Sequence, residues 1–445
     1  MNEDVRNDRR TIFGWAMYDW ANSAYATTTM AAILPAMFSD SIVPEGGYPL
    51  FGRLWDGQTL WAFLVSFAAF LVFLLAPVLG AIADFTAAKK RFLRVFAYGG
   101  ALFATLLCFV GTGDVLLTMA LFLISQMGFV SANVFYDGFL PDISTPGTID
   151  RISAKGYAFG YLGGGLQFAL SLILIQLHAQ FGICQTTAVQ LALAMVGVWW
   201  FVFSTIAFSR LRETGDRQVL PARYRARTPI VAYVGIGFGR TWDTARKLLG
   251  FRQLSLFLLA YMIYNDGVQT VIAMASSYAA DTLRLELWVI MAAMLVIQVV
   301  AFVGALVFGA LADRLGAQRA VLVSLALWSL AVINAFFLPE GAALRFLVLG
   351  AFVGLVLGGT QSLSRSLYGS MIPQQASAEF YGFYSVFSKF SAIWGPFIFG
   401  LVSASTGSGR YAILSIIILL VTGAGLLAKV NIEEARASRL QWKFD

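Results

Sequence analysis

The sequence predicts an all-α membrane protein: twelve transmembrane helices in two pseudo-symmetric six-helix bundles, with both termini cytoplasmic. Three observations carry this expectation. Twelve apolar segments have membrane-crossing length, basic residues gather on alternate loops, and landmarks of the first half recur in the second. A hydrocarbon core about 30 Å thick takes roughly 20 apolar residues of helix. Such segments lie near 11–38, 58–84, 92–112, 115–140, 156–178 and 188–208, then near 252–279, 286–313, 319–338, 345–371, 380–404 and 410–429. Composition agrees, with 59% hydrophobic and 12% charged residues, about half the charge of an ordinary soluble domain.

The net charge of +7 invites a nucleic-acid reading, but its distribution argues against one. With the N-terminus inside, 25 of the 31 Lys and Arg residues fall on cytoplasmic segments. Only Arg53, Arg284, Arg345 and Arg410 fall outside, and Arg365 and Lys389 lie within spans. This is the positive-inside asymmetry of a multi-pass protein, so no nucleic-acid partner is expected. The start, MNEDVRNDRR, has mixed charge and leads into a long, polar-spotted segment, unlike a cleavable signal peptide. Cys108 falls inside a span and Cys184 in an outer loop, which predicts neither a disulfide nor a metal site.

In chain order, span 1 aligns Trp15, Asp19, Asn22, Ser23 and Ala26 on one helical face. A carboxylate at that depth is costly and faces a wet cavity or a partner. Asp19 therefore reads as a cavity wall that holds an ammonium group or a proton, or else as a structural ion pair or packing hydrogen bond. Span 2 ends in Gly80-Ala-Ile-Ala-Asp84, followed by Lys89, Lys90 and Arg91. Span 4 carries Asn133 and, near its cytoplasmic end, Asp137. Span 5 carries Gly156, Gly160 and Gly164, a small-residue ladder that suits tight helix packing. His178, the sole histidine, falls at the outer end of span 5 and reads as interfacial.

Residues 209–251 read as a cytoplasmic linker rich in Arg, between domains 1–208 and 252–445. Phe238 to Leu249, with Trp242, reads either as an amphipathic surface helix or as a solvated tether. Span 7 places Asp266, Gln269 and Thr270 beside Tyr264 and Asn265, with Gly267 as a place where the helix could break. Span 8 ends in Gly309-Ala-Leu-Ala-Asp313, with Arg314 and Gly316 after it. Span 10 presents Gln361, Ser364, Arg365 and Tyr368 on one face, along with a second ladder, Gly350, Gly354 and Gly358. Arg365 reads equally as a two-pronged clamp for a carboxylate and as a gate partner of Asp137. Lys389 in span 11 would bind an anionic group or neutralise Asp266, the second being favoured because a buried unpaired charge is so costly.

The two Gly-x-x-x-Asp units lie 229 residues apart (84 to 313), and Pro141 and Pro373 lie 232 apart. Six-plus-six repeats with binding at the midplane are the signature of alternating-access transporters. In such a device Gly80 and Gly309 permit close approach. Asp84 and Asp313 accept bonds from basic residues such as Arg314 or from a helix N-terminus, making a latch at the inner gate.

These units resemble the cytoplasmic loop motif of the major facilitator superfamily, with Phe85 and Ala87 replacing the usual Arg and Gly in the first copy. More specific stretches are Tyr18-Asp-Trp-Ala-Asn-Ser-Ala-Tyr25, Ala154-Lys-Gly-Tyr-Ala-Phe-Gly-Tyr-Leu-Gly-Gly164, Tyr264-Asn-Asp-Gly-Val-Gln-Thr270 and Gly358-Gly-Thr-Gln-Ser-Leu-Ser-Arg-Ser366. Together they resemble the branch of the fungal vacuole effluxer, an autophagy-related exporter of amino acids, and its bacterial relatives. The resemblance spans nearly the whole chain and implies a transporter, with a bacterial inner membrane as its place.

No nucleophile elbow, metal cluster or phosphate-cradling loop is present, so neither an enzyme nor a cofactor is expected. The expectation is a secondary active transporter, monomeric in the bilayer, moving a small polar solute by alternating access with a proton or another ion as the coupling partner. Acids on spans 1 and 7 and cations on spans 10 and 11 suit a zwitterion such as an amino acid, and the resemblance suggests export. The alternatives are another small metabolite or a drug carried by the same fold and, lower, a membrane-embedded receptor or enzyme.

Overall fold

The computed structural model describes residues 6–50, 52–213, 229–391 and 394–439. The linker's Arg217, Pro221, Arg223, Arg225 and Arg227 lie outside the described residues. The chain is almost entirely helical: α1 (Arg9–Ala24), α2 (Gly57–Thr86), α3 (Lys89–Leu106), α4 (Val115–Gly138), α5 (Ile149–Gln176) and α6 (Gln185–Arg210) are followed by α7 (Pro229–Gly250) in the linker. Then come α8 (Arg252–Ser277), α9 (Leu287–Leu315), α10 (Ala317–Phe336), α11 (Ala343–Met371), α12 (Ser377–Phe390), α13 (Trp394–Thr406), α14 (Gly409–Ser415), α15 (Ile417–Ala428) and α16 (Ile432–Ser438).

Eleven helical segments among the described residues are long and apolar enough to cross a membrane. The first expected span is not one of them. Its regular part, α1, has 16 residues and carries Arg9, Arg10, Asp19 and Asn22. Beyond it the helix continues to Ile42 through wider π-type turns at Tyr25–Ile33 and Phe38–Ile42. Two further departures have local causes. A two-stranded hairpin, β1 (Tyr48–Leu50) with β2 (Arg53–Trp55), interrupts the all-helical plan, and Gly52 supplies the positive φ its turn needs. The break expected at Gly267 is absent: α8 runs through it, with Gly267 facing Leu420. In span 11, by contrast, α12 ends at Phe390 with Ser391 as its C-cap, and α13 is described from Trp394.

Helix boundaries follow from side-chain chemistry. Asp8 caps α1 by accepting the Arg10 and Thr11 N–H groups, and Asp56 caps α2 through Thr59. Ala87 in the left-handed conformation and Gly316 at φ 83° end α2 and α9, so both Gly-x-x-x-Asp units close on a sharp turn. The linker helix α7 sets Gly237 against Val78 and Ile82 of α2 and buries Ala232 and Ile236. It leaves Val231, Val234, Phe238 and Trp242 exposed along the other side.

Pairing of the helices repeats from the first half to the second. Contacts α2–α4, α1–α6, α3–α4, α3–α6 and α1–α5 recur as α9–α11, α8–α15, α10–α11, α10–α15 and α8–α12. The main bridges between the two sets also repeat, α2–α12 answering α5–α9 and α4–α12 answering α5–α11. One large core cluster draws on residues from Trp15 to Leu211 plus Ala378, and another on residues from Leu248 to Ala435. Many large apolar side chains instead face outward, Phe63, Phe67, Phe70 and Val299 among them. This pattern belongs to helices solvated by lipid.

Candidate functional site

Where the two sets of helices meet, a cavity of about 250 Å³ is lined by Asp19, Asn22, Ser23, Asn133, Asp137 and Arg365, among others. Its charged centre is Arg365, only 2% exposed. The guanidinium donates to Asp137 Oδ1 at 3.0 Å, to Ser153 Oγ at 3.0 Å and to the Ser153 carbonyl at 2.9 Å. It lies 3.6 Å from Asp19 Oδ2 and sits over the rings of Tyr157, Trp15 and Tyr136 at 4.1, 4.9 and 5.4 Å. A planar guanidinium is suited to such a place because it stacks on rings while its edge donates.

The acids come from the first half. Asp19 is held by the Tyr136 hydroxyl at 3.0 Å, and Asn22 donates to Asn133 at 2.5 Å. Gln361 accepts from the Tyr161 hydroxyl at 2.6 Å. Gly156 and Gly160 make this convergence possible. A Cβ on Gly160 would lie 2.7 Å from Ser23 Oγ and 3.1 Å from Asp19, and one on Gly156 would lie 2.6 Å from Trp15 and 2.9 Å from Arg365. These two glycines thus clear room for the polar cluster, beyond the packing role expected of them.

The structure brings Asp19, Asn22, Ser23, Gln361 and Arg365 together and adds Asp137, which sequence reasoning had placed only at a gate. Both readings of Arg365 meet here, since its gate partner also lines the cavity. Ser364 turns away to pair with the Tyr264 hydroxyl at 2.7 Å, and Tyr368 donates to the Phe380 carbonyl at 2.8 Å. Asp266, Gln269, Thr270 and Lys389 do not line the cavity. Lys389 is half-buried and forms no ion pair among the described residues, so it does not neutralise Asp266. Both Asp266 carboxylate oxygens accept the Gly395 N–H at 3.0 Å, at the start of α13, and Thr270 donates to the Asp266 carbonyl at 2.6 Å. The partial positive charge of a helix N-terminus replaces the expected ammonium.

The Gly-x-x-x-Asp units form contacts between the two halves. A Cβ on Gly80 would overlap the Ala378 carbonyl and lie 2.8 Å from the Glu379 Cα, so only glycine lets α2 meet α12. Asp84 accepts the Glu379 N–H at 2.8 Å and pairs with Lys89 at 3.3 Å; Lys89 also reaches Asp142 at 2.9 Å and the Ser377 hydroxyl at 2.6 Å. Glu379, fully buried, faces Arg240 of the linker helix at 3.4 Å. In the second copy Gly309 meets Ala154, and Asp313 pairs with Arg151 at 2.7 Å. Arg314, the basic residue next to Asp313 in sequence, is exposed.

Sequence reasoning passed over Ser153, Tyr136, Tyr157, Tyr161, Glu379 and Arg240. Three of them carried a signal: Tyr157 and Tyr161 stand four apart and alternate with Gly156 and Gly160, and Glu379 is an unexplained carboxylate just before span 11. Arg240 carried none, because its role depends on where the linker helix docks.

The comparisons with known proteins agree with this architecture. Residues 7–439 match the family described as vacuole effluxer Atg22 like. An uncharacterized MFS-type transporter of Bacillus subtilis, YxiO, is 31% identical over 418 residues, covering 94% of each chain. Autophagy-related protein 22 of Coccidioides immitis is 25% identical, covering 96% of this chain and 88% of its own. Among solved structures, a bacterial homologue of the iron transporter ferroportin in an outward-facing state aligns with TM-score 0.66 at 14% identity, covering 94% of this chain and 98% of its own. FucP in the outward conformation gives 0.66 at 12% identity, covering 95% of this chain and 100% of its own. These likenesses at low identity speak to the fold alone. With the family match along nearly the whole length, they establish a multi-pass membrane transporter: this chain belongs to the vacuole effluxer Atg22-like family of the major facilitator superfamily.

Proposed function

We propose that the protein moves a small zwitterionic solute, amino-acid-like in its charges, by alternating access coupled to protons. One observation carries this reading: a buried guanidinium from the second half faces two carboxylates from the first across a cavity of about 250 Å³. That volume lies below the roughly 300–1,000 Å³ of pockets for drug-sized ligands, which favours a small metabolite. Asp137 occupies the guanidinium edge as a substrate carboxylate would. A zwitterion that displaces it would leave Asp137 and Asp19 to receive the ammonium group. The two halves then share one ligand, as a rocking transporter requires.

The repeated pairings support two six-helix bundles, residues 1–208 and 252–445, joined by the 209–251 linker, with the polar run Arg9–Ile42 as the twelfth span. In this proposal Asp84, Asp313 and both termini are cytoplasmic, as the positive-inside bias of the loops favours, the membrane is a bacterial inner membrane, and the working unit is a monomer. In this reading the contacts of Gly80, Asp84 and Asp313 close the inner gate. Asp266 is a proton carrier. Its protonation weakens the hold on the α13 N-terminus, so a change of charge becomes a helix movement.

Competition in sealed vesicles tests the substrate class. Arg365→Lys keeps the charge and loses the two-pronged grip, so it should weaken a free amino acid more than its amide or ester. An unchanged ratio between acid and amide in the two proteins would remove Arg365 from the role of carboxylate ligand. A uniform slowing of flux for every analogue would leave it as a gate residue only.

A further inference from the structure

A second cavity, about 370 Å³, lies at the seam between the halves, away from the charged cavity around Arg365. Its walls come from the segment after α4, the end of α11 and the turn that follows, with α16 beyond. Three guanidinium groups line it: Arg6 from the N-terminal segment, and Arg436 and Arg439 from the C-terminal end. Among the described residues, no carboxylate lines it. Glu433 pairs with Arg436 at 3.2 Å from outside the cavity, and Asp150 lies within electrostatic reach of Arg436 behind the wall.

Each arginine is anchored by few of its five donors. Arg6 donates to Gln374 Oε1 at 2.8 Å, and Arg439 donates to the Ser370 carbonyl at 2.7 Å. Arg436 reaches Ser370 Oγ at 3.4 Å and Glu433. Gln374 in turn donates to the Pro141 carbonyl at 2.5 Å, tying the second half to the first at this point. Three like charges lining one cleft repel one another, so closing the two halves around them has an electrostatic cost that a multivalent anion would remove.

We propose that this cleft is a binding site for a free, phosphate-bearing cytoplasmic anion, which bridges the halves and holds this end of the transporter closed. Phosphate suits the donor set because arginine forks grip its oxygens in pairs. The walls are helix ends and turns at the seam and not the lipid-facing apolar surfaces, which favours a soluble anion over a lipid headgroup. Because Arg6 sits on one side of the seam and Arg436 and Arg439 on the other, the anion binds the closed arrangement better than the open one. It therefore shifts the population toward closure.

Thermal unfolding of the purified full-length protein, with inorganic phosphate or pyrophosphate against chloride at equal ionic strength, tests binding. The expected result is a saturable stabilisation whose apparent affinity falls at least about tenfold in Arg436→Gln/Arg439→Gln, the loss of one charge-assisted pair. Arg6→Gln alone, at the chain's edge, should weaken it as well. No stabilisation, or equal stabilisation in the variants, overturns the site. Stabilisation by phosphatidylglycerol vesicles over phosphatidylcholine ones, without any response to free phosphate, overturns the soluble-anion assignment. Spin labels at the exposed positions 91 and 319 read closure directly. Pyrophosphate should sharpen the short-distance population, and an unchanged distribution under saturating anion overturns the bridging role. None of these readouts depends on knowing the transported solute.

Discussion

Arg365 and Asp137 offer a test in which magnitudes can be worked from the structure. Arg365→Met removes three hydrogen bonds, to Asp137 and twice to Ser153, and leaves Asp19 and Asp137 facing each other without a counter-ion. Breaking a buried pair from one side costs about 3–5 kcal/mol, because a desolvated charge stays behind. Asp137→Asn is milder. The guanidinium keeps Ser153 and Asp19, so the loss is that of one charged hydrogen bond, about 1.5–3 kcal/mol. In the double variant one of the two orphaned carboxylates is gone, and the penalty of Arg365→Met is partly recovered. The two changes should therefore couple by roughly 2 kcal/mol in a double-mutant cycle. Reversible unfolding of the four purified proteins in mixed micelles measures the cycle. Additivity within about 0.5 kcal/mol would refute a native Arg365–Asp137 pair and the cavity built around it.

Three further outcomes follow from the gate and from span 11. Gly80→Ala forces α2 away from the Ala378 carbonyl, an overpacking cost of about 1–3 kcal/mol that falls only on the closed arrangement; spin labels at positions 91 and 319 should separate, and wild-type distances would contradict the close approach. Arg240→Gln strands the fully buried Glu379 and should destabilise by about 3 kcal/mol, whereas Arg240→Gln/Glu379→Gln should recover most of that in the same unfolding assay. Asp266→Asn keeps an acceptor for Gly395 but holds the neutral form at every pH. Proton-driven flux should fall at least about tenfold, a loss of roughly 1.4 kcal/mol, and an unaltered pH profile of transport would return Asp266 to a purely structural role.

Hydropathy and charge alone placed nearly every span, because the bilayer imposes helix length and loop charge on any sequence that crosses it. The first span shows the limit. Its polar face, with Asp19, Asn22 and Ser23, made it look functional and also kept it out of the apolar helices. The Gly-x-x-x-Asp residues stood out in the sequence because the unit recurs, and both copies make contacts between the halves. Which basic residue meets Asp313 was not legible, since Arg314 adjoins it in sequence while Arg151 pairs with it from the other half.

What tertiary structure alone decided is which charges share a space. Asp19 and Asp266 look like repeats of one another in the chain, yet one faces Arg365 in the cavity and the other holds the start of α13. Lys389 and Arg365 look like two equivalent cations, yet only Arg365 meets carboxylates. The sequence by itself determined that these costly groups exist at membrane depth, because each must find a partner or water there. The identity of each partner came from helix packing, which brings together residues more than a hundred positions apart. Local periodicity carries no information at that separation.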